Sequence, residues 1–222
     1  MGLNANKLAH SGGNSGSKQE PIEPGTYPIR VAQIIDLGLQ PQRPYQGQEK
    51  PPAYEIMLTY EFLDEFCVDE EGNEDEEKPR WLSETLPFRS LKAEKAKSTQ
   101  RYYALDPNEE AEGDFTQLAG VAANASVVQN AGKGKNAGKV YNNIQALSPM
   151  RAKDASKAPE LKKEPKVFTL DDPDTTVFQS LPDWVQDKIK GNLEYKGSQL
   201  QKALEGASEA VTDDVEEDDG EW

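Results

Sequence analysis

From Thr26 to Leu37 the chain reads TYPIRVAQIIDL, with Tyr27, Ile29, Val31 and Gln33 on one side of an extended backbone. Period-two alternation of this kind predicts a strand with one buried face. The alternation weakens at Ile34-Ile35, which predicts a bulge or bend. The clearest strand follows a Gly/Pro/Gln-rich connection, at Tyr54–Phe66. There Tyr54, Ile56, Leu58, Tyr60 and Phe62 share one face, and Glu55, Met57, Thr59 and Glu61 share the other. Arg80–Phe88 reads as a returning strand, and Asp64–Glu77 between them as an exposed hairpin loop. Helix formers fill Ser90–Asp106, ahead of Pro107, and Asp114 is placed to cap a short helix over Phe115–Ala119. Val121–Gln129 and Lys139–Leu147 predict two further strands around the loop NAGKGKNAG. Farther on, Ser180 with Asp183 and Ser198 with Gln201 have capping-box spacing. They predict helices near 181–191, with Trp184, Val185 and Ile189 on one side, and 198–205, stopped by Gly206.

Five strands with a short helix between the third and fourth predict a mainly β fold, a five-stranded OB-fold (oligonucleotide-binding) barrel with C-terminal short helices and disordered ends. The expected organisation is a polar arm at 1–23, the barrel at 24–149, a linker with short helices at 150–205 and an acidic tail at 206–222. No apolar run is long enough to span a membrane, and Met1–Gln19 lacks an apolar stretch of signal-peptide length. A cytoplasmic protein without a membrane partner is expected. Self-association into a homo-oligomer is left open by the sequence.

Composition narrows the chemistry. Cys67 and His10 are the only residues of their kinds, so an internal disulfide and a Cys/His zinc site are excluded, along with Ser-His and Cys-His nucleophile pairs. No calcium-loop spacing occurs in the acidic run, and GKGKNAGK lacks the nucleotide-phosphate loop frame. No enzyme, cofactor or metal is expected. The net charge of −15 argues at first against nucleic acid. Its distribution reverses that impression. Asp64–Glu77 holds nine acids and no base, Ala203–Trp222 nine more and again no base, and setting these aside leaves 22 acids against 25 bases.

Three groups of residues have the make-up of a single-strand binder, which needs cations to follow phosphates and aromatic faces to stack bases. The first is Arg89, Lys92, Lys95, Lys97 and Arg101, followed by Tyr102-Tyr103, with Glu94 the one acid among them. The second is Lys133, Lys135 and Lys139 in the glycine-rich loop, with Tyr141 just beyond. Arg80-Trp81 is the third, and Tyr54, Tyr60 or Phe88 would join it if their faces look outward. The chain then ends in TDDVEEDDGEW, where Asp213, Asp214, Glu216, Glu217, Asp218 and Asp219 precede Trp222. An acidic run closed by a bulky aromatic can occupy a basic groove weakly and dock elsewhere when displaced.

The strand order, the segment AGKGKNAGKVYNNI and the aromatic-ended acidic tail together resemble the single-stranded-DNA-binding proteins of tailed bacteriophages. The resemblance covers roughly residues 24–149 and 208–222, and the family commonly ends in Phe where this chain has Trp222. It implies a barrel that coats single-stranded DNA during replication, recombination and repair in the host cytoplasm, and a tail that recruits replication or recombination proteins. The competing expectation is an acidic interaction protein or DNA mimic, whose acids would be spread over a folded surface. A carboxylate-based hydrolase ranks behind both, because no paired acids sit at predicted strand ends outside the acidic run.

Overall fold

The computed structural model describes residues 19–44 and 46–212. The first alternating run is β1 (Gly25–Gln40), longer than predicted at its C-terminal end, and it pairs antiparallel with β2 (Ala53–Val68), which in turn pairs with β3 (Glu74–Pro87). The N-terminal part of β1 also pairs with β4 (Ala122–Ala131), and β4 with β5 (Val140–Pro149). The strand order is therefore β3-β2-β1-β4-β5. As an interior strand, β1 offers one edge to β2 and the other to β4 and then β6. The register of β1 slips between Val31 and Gln33 and between Asp36 and Gly38, on either side of the fading alternation. A sixth strand, β6 (Lys166–Phe168), runs parallel to β1 at Gln33–Ile35. The protein is mainly β, a six-stranded, largely antiparallel sheet with few short helices.

One face of the sheet builds the main core from Ile29, Val31, Leu58, Tyr60, Phe62 and Ile144. Helix α1 (Lys97–Leu105) and the 3-10 turn Phe115–Leu118 cover it with Tyr102, Leu105, Phe115 and Leu118. The Asp114 carboxylate accepts from the Thr116 amide, as its capping position predicted. Only the last nine residues of the expected Ser90–Asp106 helix before Asp106 are helical; Ser90–Ala96 forms turns instead.

The second face of β2 is covered as well. Met57, Thr59 and Glu61 are buried, because the C-terminal segment packs over that side. Ile35, Leu37 and Met57 meet Phe168, then Phe178 of α3 (Thr175–Gln179), Val185 and Ile189 of α4 (Asp183–Lys190), and Leu200 of α5 (Gln199–Thr212). Trp184 does not share the Val185–Ile189 side but stands 57% exposed. Ser180 ends α3 rather than starting α4, whereas Ser198 caps α5 as predicted, its hydroxyl accepting from the Gln201 amide. Helix α5 continues through Gly206 to Thr212, since one exposed glycine costs a helix only about 1 kcal/mol.

Two other segments are more ordered than their composition predicts. The acidic run is not a long loop: Phe66, Cys67 and Val68 pair with Pro79, Asp75 and Glu74, and the turn is confined to Asp69–Asn73. The Asp69 carboxylate accepts from the Glu71 and Asn73 amides and fixes that turn. Residues 150–166 hold a short helix, α2 (Ala152–Ala155), and then a strap across the sheet. Arg30 clamps the strap by donating to the carbonyls of Pro159 at 2.7 Å and Ala158 at 3.2 Å. The Lys162 amide donates to the buried Glu61 carboxylate at 3.0 Å.

Candidate nucleic-acid interface

Strands β3 and β5, the two ends of the sheet path, touch but share no ladder among the described residues. Arg101 fills the seam between them. Its Nε and Nη2 donate to the two carboxylate oxygens of Glu84 on β3, at 2.6 and 3.1 Å, and Nη2 also donates to the Ile144 carbonyl on β5 at 3.1 Å. The Tyr60 hydroxyl donates to the same carboxylate at 2.8 Å, and burial beside Glu84 holds that phenol protonated well above its ordinary range. Burial alone would disfavour the Arg101 charge, but Glu84 more than compensates and its pKa rises. With 2% of its surface exposed, Arg101 is removed from the expected set of phosphate contacts. Tyr102 is removed as well. It is fully buried, donates to Asp106 and accepts from the Gly113 amide. Sequence could not separate these two from their neighbours because a short helix presents both core and surface positions within one turn.

The remaining members of the first group are on the surface. Arg89, Lys92, Lys95 and Lys97 are exposed, on the lead-in to α1 and its first residue. That lead-in is fixed by the Arg89 amide donating to the Ser98 hydroxyl and the Thr99 hydroxyl donating to the Ser90 carbonyl. Tyr103 is 37% exposed, edge-on to Tyr102, and lines an open groove with Leu91, Lys92, Gln100, Leu147 and Pro149. Leu147 and Pro149 were missed as candidates, because an apolar strand end carries no signal for a ligand.

The second group lies at the other end of β5. Lys133, Lys135 and Lys139 are exposed on the β4–β5 hairpin, and Tyr141 is 42% exposed beside it. The loop curls tightly over Gly132: a Cβ there would lie 2.2 Å from the Asn136 carbonyl oxygen. The glycine is therefore needed to shape the lysine loop. Seven residues of extended chain separate Val140 from Leu147, roughly 23 Å, so the two groups mark the ends of one strand. Between them Asn143 and Gln145 are exposed and uncharged.

Trp81 is 42% exposed on β3, its indole donating to Glu61 at 2.9 Å. Arg80 is half-buried near Tyr27 and Glu65. Tyr60 belongs to the core, Tyr54 donates to Glu194, and Phe88 stands edge-on to Phe115 with 40% of its surface exposed. Asp213, Asp214, Glu216, Glu217, Asp218, Asp219 and Trp222 lie outside the described residues. Among the described residues no three His, Cys, Asp or Glu groups are placed to hold a metal ion, and no helix is long and apolar enough to cross a membrane. No protein-family model matches the chain, and no curated protein is found to resemble it.

Proposed function

We propose that this protein binds single-stranded DNA without sequence preference, through a surface running along β5 from the lysine hairpin to the groove beside Tyr103. The observation that carries the reading is a charge anomaly. The chain has 40 acids against 25 bases, yet Lys92, Lys95, Lys97, Lys133, Lys135 and Lys139 are all exposed and none is ion-paired among the described residues. Free cations flanking exposed tyrosines are what a sequence-tolerant binder uses, since every base offers a π-face and every phosphate a charge. The sheet is read as an oligonucleotide-binding barrel whose β3–β5 seam is closed by the Arg101 side chain instead of a ladder. A phage role in replication, recombination and repair, with the acidic tail recruiting other proteins, follows from the resemblance. The test is a titration of oligo-dT into the wild-type protein and into a variant with those six lysines changed to Gln. Wild-type binding that is largely lost in the variant supports the reading; equal binding refutes it.

A second reading, the DNA mimic, gains from one observation. The acids of Asp64–Glu77 are laid out on a folded hairpin, which is what a mimic requires. It predicts that the protein captures a basic DNA-binding partner, and that neutralising Glu70, Glu71, Glu74, Glu76 and Glu77 to Gln abolishes capture. Capture unchanged by those substitutions would rule the mimic out.

A further inference from the structure

The groove beside Tyr103 does not end at Pro149. The same proline lines a second depression with Pro28, Asn124, Met150 and Lys157. A third follows along Glu160–Lys163 beside Gly120. The last two are bordered by the segment after β5, whose residues 150–166 carry six bases (Arg151, Lys153, Lys157, Lys162, Lys163, Lys166) against three acids (Asp154, Glu160, Glu164). Several of these charges are already satisfied. Arg151 pairs with Asp154 at 2.6 Å, Arg30 with Glu160 at 3.2 Å, and Lys162 with Glu77 at 3.1 Å, while Lys166 donates to Ser180. Lys153, Lys157 and Lys163 remain, exposed and without an ion pair among the described residues.

These three are also held in place. The segment that carries them is clamped by Arg30, which donates to Pro159, Ala158 and, at 2.8 Å, to the Gly120 carbonyl. Cations on a pre-ordered backbone lose less freedom on binding than cations on a mobile linker.

We propose that residues 150–163 form a second wall of the single-strand path. Lys153, Lys157 and Lys163 take backbone phosphates beyond Tyr103, and Pro149 and Met150 give the bases an apolar floor. The occupant is a polyanionic strand, because the free cations are spread along an extended segment instead of converging on one point. The inference rests on the single-strand reading and lengthens its footprint.

The test compares the full-length wild type, a strap variant (Lys153→Gln, Lys157→Gln, Lys163→Gln) and a control with the same charge change elsewhere (Lys190→Gln, Lys196→Gln, Lys202→Gln). Each is titrated over a range of salt with oligo-dT of about 4 nucleotides, the short end of the ~4–16-nucleotide footprint of such barrels, and of about 20, beyond its long end. Each phosphate contact on a single strand contributes about −0.7 to the slope of log affinity against log salt. The strap variant is expected to lose about 2 from that slope on the longer oligonucleotide only, with the control unchanged. A strap variant that matches the control overturns the second wall and leaves single-strand binding standing. A wild type that binds neither oligonucleotide overturns both.

Discussion

Arg101→Met removes the cation paired with Glu84, and its effect separates a seam-bridging arginine from a DNA contact. Glu84 is 13% exposed at its side chain and accepts two hydrogen bonds from Arg101 and one from Tyr60. Breaking a buried pair from one side leaves the partner charge uncompensated and costs roughly 3–5 kcal/mol. Glu84 keeps some access to water, so the lower end, about 3 kcal/mol, is the expected loss. With a urea m-value of about 2 kcal/mol/M, the midpoint should fall by about 1.5 M. The loss is a large fraction of the roughly 5–15 kcal/mol that holds a domain folded. Urea unfolding followed by tryptophan fluorescence measures it directly. The double variant Arg101→Met, Glu84→Leu removes both charges and is expected to recover about half of the loss. A single-variant cost below about 1 kcal/mol would refute the seam argument. So would a double variant no better than the single one. For binding, the folded double variant Arg101→Met, Glu84→Leu should leave the salt slope for oligo-dT unchanged, whereas loss of a phosphate-contacting arginine would reduce it by about 0.7.

Three further outcomes follow from the same geometry. Burial alone would raise the Asp106 carboxyl, but donation from the Ala111 and Glu110 amides and the Tyr102 hydroxyl holds it below the usual carboxylate range. Its folded pKa is thus depressed, and its contribution is present above the unfolded value and lost as pH falls through the folded one. Asp106→Asn should be less stable than wild type at neutral pH and lose less on acidification; parallel acid limbs in urea midpoints would contradict this. Gly38 has φ of 71°, and a Cβ there would lie 2.8 Å from both Asn192 Cγ and Leu170 Cδ1. Gly38→Ala should therefore exceed the ~1–2 kcal/mol cost of the left-handed backbone alone, again by urea midpoint, and a neutral result would contradict the close packing of the C-terminal segment on β1. Trp81 shares the Glu61 carboxylate with the strap's Lys162 amide, so in a Trp222→Phe background Trp81→Phe should remove most of the fluorescence quench by oligo-dT and Trp184→Phe should leave it in place. The reverse pattern would move the interface to α4.

Strand positions were the most legible part of the fold. β2 shows why: Tyr54 to Phe62 alternates cleanly, and a strand half-buried on the main core must do so. The second covering of that strand was not legible. Glu55 and Glu61 alternate with the core-facing residues in sequence, yet Glu55 meets Lys188 at 2.7 Å and Glu61 meets the Lys162 amide and the Trp81 indole. Lys188 and Lys162 are remote in sequence and no local pattern announces them, whereas Trp81 is the cross-strand neighbour of Glu61 in the β2–β3 hairpin. The strap was hidden for the same reason, since its Lys/Ala/Pro composition suits a linker until Arg30 is placed opposite its carbonyls. In the candidate interface, the lysines read correctly as surface residues, because an unpaired lysine is rarely buried. Arg101 and Tyr102 did not, because their burial depends on how α1 meets β3 and β5.

Single-strand binding through free lysines is read out by the salt dependence of oligo-dT affinity in the intact protein. Six free lysines at about 0.7 each predict binding at low salt that weakens with a log–log slope of about −4, steepening to about −6 on oligonucleotides long enough to reach the strap. Absence of binding at low salt, or binding indifferent to salt, would contradict it.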